Sequence, residues 1–176
     1  MATGMLRSIL RVLQHKDIRM SVSEKDFRKV MGRFTTGVAV ITTQHQGKPV
    51  GVTINTLTSV SLEPPLVLFC LGKRRHVFPA FFENPHCAIH ILSSAQQDLC
   101  KAFAHSLSYP WDGLVYETSK TGCPLIPSSL GILHCRREET YGGGDHLIFL
   151  NHVEEIHWEE PDEGKKPLVY FQGNLA

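Results

Sequence analysis

Residues Gly51 to Pro65 concentrate side chains that form hydrogen bonds and carry almost no charge. The run GVTINTLTSVSLEPP lies between two apolar runs that are typical of core strands, so its hydroxyl and amide groups need partners. If the segment begins extended, Thr53 and Asn55 project from one face and the intervening apolar residues from the other. That polar face would suit a flat heteroaromatic molecule such as a flavin ring, but the same residues could equally cap strand ends and support a tight turn. The polar members are Thr53, Asn55, Thr56, Thr58, Ser59 and Ser61.

The hexapeptide YGGGDH, from Tyr141 to His146, combines backbone freedom with groups that can move a proton. Glycines let a backbone approach a ligand closely or adopt positive φ. The adjoining Asp145 and His146 can carry a proton or orient a polar group of a substrate. A glycine-rich hairpin turn with an exposed histidine is the alternative interpretation, and the hexapeptide by itself favours that alternative.

A third segment, GKRRH from Gly72 to His76, follows an apolar run and precedes a predicted helix. Positive side chains next to the amide groups of a helix start provide a favourable place for a phosphate. Lys73, Arg74 and Arg75 are therefore candidate phosphate ligands. Solvated surface charge is the equally common alternative.

Short β-branched runs separated by turn residues predict that strands position these three segments. A helix is expected from Val22, with Ser23 as its N-cap, to about Gly37, because apolar residues recur there at helical spacing. Strands outnumber helices and do not alternate with them regularly, which disfavours a parallel sheet. The predicted fold class is mainly β with peripheral helices (α+β), as an antiparallel barrel. The predicted strands are Gly37 to Thr43, Val50 to Asn55, Leu66 to Leu71, Cys87 to Leu92, Gly131 to Glu138, His146 to Ile156 and PLVYFQG, and further helices are predicted from His76 to Phe82 and from Ser94 to His105.

Composition restricts both the number of domains and the class of ligand. The chain has 176 residues, of which 42% are hydrophobic, enough for one domain with a sizeable core. We expect this domain at residues 22–176, after an N-terminal extension at residues 1–21. A formal net charge of +1 gives no reason to expect nucleic acid or a membrane as a partner, so small molecules are the expected ligands. Five scattered cysteines without a CxxC pair predict neither a disulfide framework nor a zinc site, and they fit a cytoplasmic location.

Ten histidines raise the question of a metal site. His86 and His90 would share one face of a predicted strand, but they lie two residue pairs apart, which is too far to chelate one ion. Cys87, between them, points to the opposite face. No metal is therefore expected.

Taken together, the motifs resemble those of the flavin reductase family, which has an FMN-binding split-barrel fold. Members of this family are small NAD(P)H:flavin oxidoreductases that serve two-component monooxygenases. The resemblance covers about Phe27 to Gly173 and depends on the motifs in combination, because each alone is weakly specific. In order, they are MGRFTTGVAVITT, GVTINTLTSVSLEPPLVLFCL, IHILSSAQQDLCKAFA, TGCPLI, GGGDHLIFLNHV and PLVYFQG.

The resemblance implies a role for each matching residue. Gly144 and Asp145 would bind the substrate nicotinamide beside the flavin, together with His146, which is also the implied catalytic residue. Tyr170 would be a further substrate contact, and Phe103 belongs to a Phe-Ala pair that closes over the cofactor region. The implied flavin ligands are Thr53, Ile54, Asn55, Thr56, Ser59, Val60, Ser61, Lys73, Arg74, Arg75 and Phe103.

The implied activity is hydride transfer from NADH or NADPH to FMN or FAD by a homodimer that supplies reduced flavin to a partner oxygenase. Two departures from the family pattern bear on this expectation. The cluster from Lys73 to His76 stands where serine and threonine are common, and the C-terminal Tyr-His-x-Gly-x-Tyr pattern lacks its histidine and final tyrosine. The alternatives are a split-barrel flavoprotein that retains FMN and acts on another substrate, and a non-catalytic flavin-binding module.

Overall fold

Antiparallel strands make up most of the regular structure in the computed structural model, which describes residues 22–104, 111–158 and 165–176. The predicted extension at residues 1–21 and His105, the predicted end of the last helix, lie outside these residues. Within the described ranges the helices are α1 (Glu24–Met31), α2 (Phe78–Glu83), a 3₁₀ turn (Ser94–Gln96) and α3 (Gln97–Ala104). The strands are β1 (Thr36–Gly37), β2 (Ala39–His45), β3 (Lys48–Ile54), β4 (Thr58–Leu62), β5 (Pro65–Gly72), β6 (His86–Ile91), β7 (Glu117–Thr118), β8 (Pro124–Leu125), β9 (Gly131–Gly143), β10 (His146–Trp158), β11 (Val169–Phe171) and β12 (Asn174–Leu175).

One large sheet, in the order β3-β2-β6-β9-β10-β5-β4, contains most of the predicted site segments. Its neighbouring strands are antiparallel throughout the described residues, as the sequence predicted. Strands β9 and β10 form a long hairpin, and the other edge of β10 pairs with β5 so that His146 lies opposite Gly72. A smaller sheet, β1-β11-β12, brings the C-terminal segment against the residues that precede β2.

Strand β2 is buried on both faces because its alternate residues enter two different apolar clusters. Ile41 belongs to the first cluster, in which Phe69 and Phe149 stack with ring centroids 5.0 Å apart. Val40 belongs to the second cluster, which includes Phe103 on α3. The second cluster therefore holds α3 against the sheet, beside the end of β3.

The first helix is shorter than the sequence predicted. It begins as expected, since the Asp26 N–H donates to Ser23 Oγ at 3.0 Å, but it ends at Met31 and not near Gly37. The cause is tertiary, because the residues of β1 pair with β11. The chain from residue 32 onward forms a compact unit distinct from the one that contains α1. No helix in the described ranges has the length and apolar character needed to cross a bilayer.

Two glycine- and hydroxyl-rich segments also differ from the prediction. Residues that were expected to continue through a turn after Asn55 form β4, an edge strand that pairs with β5 and is irregular between Ser59 and Ser61. Strand β9 runs to Gly143 and not to the predicted end at Glu138, because its glycines continue the pairing with β10. In both places a partner strand supplies hydrogen bonds that local sequence does not reveal.

Candidate functional site

A cavity of about 270 Å³ lies where β3, α3 and the β11–β12 hairpin meet. Thr53 and Asn55 line it together, as their alternation along the chain predicted. Ile54 also contributes to the wall, although its side chain belongs mainly to the first apolar cluster. Tyr170, the predicted substrate contact, lies in the same lining, which is completed by Val38, Cys100, Lys101, Ala104, Gly173 and Leu175.

The hydroxyl of Thr53 joins β3 to α3. It donates a hydrogen bond of 2.7 Å to the carbonyl oxygen of Cys100. Because the hydroxyl proton is used within the protein, Thr53 Oγ1 can offer a ligand only an acceptor. Burial raises the pKa of the neighbouring Cys100 thiol, so the sulfur beside the cavity stays neutral.

The remaining hydroxyls of the opening polar run lie outside the cavity lining. Thr56 Oγ1 donates to the carbonyl oxygen of Cys70 at 3.1 Å and accepts from its N–H at 3.0 Å, so Thr56 fastens the loop after β3 to β5. On β4, Ser59 and Val60 are exposed, and Ser61 Oγ accepts a backbone N–H two residues later. The predicted flavin ligands therefore fall into two groups, one in the cavity wall and one along an edge strand.

The basic segment after β5 meets the glycine-rich turn before β10. The Lys73 N–H donates to the carbonyl oxygen of Asp145 at 3.0 Å, and Lys73 Nζ donates to that of Gly144 at 2.7 Å. Gly144 has φ of 68°, a conformation in which other residues are strained. Two segments that are about seventy positions apart in the chain thus form one surface.

Asp145 and His146 form a hydrogen-bonded pair on this surface. His146 Nδ1 lies 2.8 Å from Asp145 Oδ1. The side chain of His146 is 47% exposed and that of Asp145 is 74% exposed. The hydrogen bond from His146, together with its charge, holds the pKa of Asp145 below its ordinary value. The carboxylate therefore accepts the Nδ1–H, which leaves Nε2 as the nitrogen that can exchange a proton with a ligand.

Arg75 connects this surface with the cavity. Its Nη1 donates to the carbonyl oxygen of Ala104 at 3.2 Å, and Ala104 lines the cavity. Arg74 is exposed, and its charge contributes weakly to the lowered pKa of Asp145. The cavity, the basic segment and the Asp-His pair are consequently contiguous.

Phe103 does not line the cavity. Its side chain is buried, its ring lies edge-on to Trp111 at a centroid distance of 4.9 Å, and it covers Gly51, at which a Cβ would come within 2.5 Å of the ring. Sequence reasoning missed Cys100 and Lys101, which do line the cavity. Their spacing from Ala104, three or four positions on a helix, is the signal that could have identified them.

The chemistry of these residues fits a flavin. The described residues of the cavity lining are neutral except for Lys101, as a heteroaromatic ring with several donors and acceptors requires, and cations follow next to it, as a phosphate requires. The volume of about 270 Å³ lies just below the range of about 300–1,000 Å³ for ligand pockets, which suits a ring system and not a whole dinucleotide. Among the described residues, no cluster of three or more His, Cys, Asp or Glu could hold a metal ion.

Comparisons with known proteins agree with this assignment. The family model "Flavin reductase like domain" matches residues 31–176. The FMN reductase (NADH) SmoA of Agrobacterium fabrum is 39% identical over 140 residues, which are 80% of each chain. HsaB of Mycobacterium tuberculosis, the reductase subunit of a flavin-dependent monooxygenase, is 33% identical over 88% of this chain and 82% of its own. The solved structure of the Streptomyces globisporus NADH:FAD oxidoreductase SgcE6, in complex with NAD and FAD fragments, superposes with a TM-score of 0.81 at 32% identity, covering 88% of this chain and 92% of that one.

The fold, the site and these matches define an oxidoreductase of the antiparallel split-barrel class, as the sequence predicted. The chain belongs to the flavin reductase family. The boundary between an extension and the domain at residues 21 and 22 stays a prediction, and so do the roles of individual site residues.

Proposed function

We propose that this flavin reductase transfers hydride from NADH to a flavin and supplies the reduced flavin to an oxygenase component. The observation that carries the proposal is the contiguity of the neutral cavity, the basic segment and the Asp145–His146 pair. The names of SmoA and SgcE6 support NADH as donor and FMN or FAD as acceptor, and the name of HsaB supports an oxygenase as recipient.

A bound flavin supplies the hydride-accepting ring, so the protein's task is to hold that ring and the nicotinamide in the correct relative position. Thr53, Ile54 and Asn55 are proposed to contact the ring in the cavity. Their hydrogen-bonding groups are neutral, so they orient a ring without introducing a charge that would strongly bias its potential. Tyr170, on the opposite wall, is proposed to limit the space for the nicotinamide.

The residues along β4 take a different place in the proposal. Ser59, Val60 and Ser61 are proposed to line the path of the ribityl chain, which leaves the ring and runs over the surface. Thr56 supports them indirectly, since both hydrogen-bonding functions of its hydroxyl are used by the backbone of β5. Phe103 is likewise proposed to act through packing, because its ring fixes the position of α3.

Lys73, Arg74 and Arg75 are proposed to bind the flavin phosphate. We therefore expect replacement of both arginines by alanine to weaken FMN far more than riboflavin, which has no phosphate, because charge-assisted contacts are worth about 1.5–3 kcal/mol each. Equilibrium titration of both ligands measures the difference, and Lys48→Ala, which removes an exposed cation at the start of β3, is the control. Equal weakening of FMN and riboflavin would refute the phosphate assignment.

His146 is the proposed catalytic residue, with Gly144 and Asp145 as its partners at the nicotinamide. With flavin saturating, we expect His146→Ala to lower kcat/KM for NADH by about 10-fold to 100-fold, equivalent to about 1.4–2.7 kcal/mol, while flavin affinity stays nearly unchanged. His45→Ala, at the distant end of β2, is the control. Loss of flavin binding would mean that His146 is a flavin ligand. Unchanged kinetics would mean that the segment from Tyr141 to His146 is only a structural turn.

Steady-state oxidation of NADH and NADPH with excess FMN or FAD tests the overall proposal and resolves both preferences. Turnover of free flavin supports the reductase. A yellow protein that retains FMN, reacts with another substrate and does not turn over free flavin would instead be the retaining flavoprotein. A protein that binds flavin and is inert toward both nucleotides would be a binding module.

A homodimer in the cytoplasm completes the proposal. The inner face of β5 carries core residues, and its outer face is also apolar, with Leu68 opposite Leu150 and Cys70 opposite Ile148. A second copy would cover this outer face. Sedimentation at micromolar concentration should give a dimer, and the rate at which a thiol reagent labels Cys70 should rise on dilution. The five cysteines are free, as a reducing compartment favours.

A further inference from the structure

A second and larger cavity, of about 650 Å³, lies at the far end of the β9–β10 hairpin. Its lining comes from β7 and the residues before it, from the end of β10 and from the segment at residues 125–129, which we call the floor. His157 in this cavity follows His146 by eleven residues on the same strand, so about 36 Å of strand separates it from the proposed nicotinamide site. The described linings of the two cavities also share no residue, so the second cavity is separate from the first.

The floor of this cavity is held rigidly. Ile126 and Ser129 are 1% and 8% exposed, and Ser129 Oγ donates to the carbonyl oxygen of Ile126 at 3.2 Å. The Ile126 N–H donates to Nε2 of the fully buried His90 at 3.1 Å. His90 Nδ1 in turn contacts the carbonyl oxygen of Val40 at 3.1 Å, so the floor is attached to the centre of the large sheet. A preformed floor lowers the entropic cost of binding a ligand.

The rim of the cavity exposes an unusual amount of apolar surface. Val115, Ile156 and Trp158 line it and are 79%, 57% and 66% exposed. Tyr116 adds a second aromatic ring to the lining, and it is itself held edge-on by Trp111 at 5.1 Å. Two aromatic side chains in the lining of one concave site suit a planar aromatic ligand, which gains both area burial and ring contacts.

The polar groups of the lining restrict the ligand further. Glu117 is an acceptor, and Ser129 Oγ has donated its proton to Ile126, which leaves it as an acceptor too. His157 Nε2 lies 3.2 Å from Glu155 Oε1, and in the tautomer that donates there Nδ1 is an acceptor. Ser128 adds a hydroxyl, and no lysine or arginine is among the lining residues that the structure describes. The site therefore favours a hydrogen-bond donor and disfavours an anion such as a nucleotide or flavin phosphate.

We propose that this second cavity, which we call the hairpin-end site, binds an uncharged aromatic compound that carries a hydroxyl or N–H donor, of the phenol or indole class. The ring lies between Trp158 and Tyr116, and the donor group reaches Glu117 or His157. The site is separate from the flavin cavity, so occupancy does not require flavin or NADH.

Titration of the full-length, ¹⁵N-labelled protein with phenol tests the proposal. The chain has two tryptophans, and their indole N–H resonances report on the hairpin-end site (Trp158) and on the packed interior (Trp111). We expect a saturable shift of the Trp158 resonance with a Kd of about 0.1–1 mM, the affinity that a ligand of this size can reach. A linear, non-saturating response would overturn the proposal.

Matched variants and ligands make the test specific. Trp158→Ala should weaken phenol binding at least about 5-fold, measured by saturation-transfer signals of the ligand. Leu62→Ala, which truncates an exposed apolar residue at the end of β4, should not weaken it. Benzoate, an anion, and toluene, which has no donor, should bind more weakly than phenol to the unaltered protein. In the Glu117→Lys variant, benzoate should bind more tightly than phenol. Equal binding of all three compounds, or equal effects of the two alanine variants, would overturn the proposal. Unaltered NADH oxidation with FMN verifies that each variant is folded.

Discussion

Acidification should destabilise this protein through one buried histidine, His90. The side chain is 0% exposed, its Nδ1–H donates to the carbonyl oxygen of Val40, and its Nε2 accepts the N–H of Ile126. The contact with Ile126 requires the neutral ring, since the imidazolium has no acceptor. Burial lowers the pKa of His90 from the ordinary 6.5 to about 4, with His134 on β9 lowering it further and the bond to Val40 opposing the change.

The size and sign of the effect follow from linkage. In the unfolded chain His90 binds a proton near pH 6.5, whereas in the folded chain it does so only near pH 4. The free energy of unfolding is therefore highest above pH 6.5, falls as pH drops from 6.5 to about 4, and is level below that. The difference in pKa corresponds to about 3 kcal/mol, a large fraction of the stability of an ordinary domain.

Urea unfolding between pH 4 and pH 8 measures this contribution. His90→Gln keeps an amide that can donate to one backbone partner and accept from the other, but it does not titrate. We expect the variant to be less stable at pH 7. Between pH 4 and 6.5, the slope of its free energy of unfolding against pH should be smaller by about the amount that the uptake of one proton produces. His76→Gln, at an exposed position, is the control and should keep the full slope. Equal slopes in the wild-type protein and His90→Gln would refute the reasoning.

Two further predictions concern packing around the flavin cavity. Gly51→Val should lower the free energy of unfolding by about 1–3 kcal/mol and lower Tm, because a Cβ at this position would lie 2.5 Å from the Phe103 ring. Gly37→Ala is the control and should change Tm little, because its Cβ would meet no atom within 4 Å. Equal effects of the two substitutions would contradict the packing argument. Thr56→Val should cost about 1–2 kcal/mol in urea unfolding, because it removes two hydrogen bonds to the backbone of Cys70, whereas Thr56→Ser should recover most of the loss.

Much of this molecule was predictable from local sequence. Alternation and turn residues identified most of the longer strands but not β4, and the Ser23 cap was correctly predicted from the first polar residue before an apolar helical pattern. The polar character of the run from Thr53 to Ser61 and the cations after β5 were visible as composition. These features depend on a few consecutive residues, so they can be recognised without knowing the fold.

The tertiary structure decided which of those groups meet. Pairing of β5 with β10 brings Lys73 to Gly144, and the packing of α3 under the second apolar cluster places Ala104 between Arg75 and the cavity. It also turned the Phe103 ring into the interior. Whether a hydroxyl binds a ligand or a backbone group depends on strand register and helix packing. Both are set by contacts between distant residues, because a shift of a single residue would reverse the face to which every side chain of a strand points.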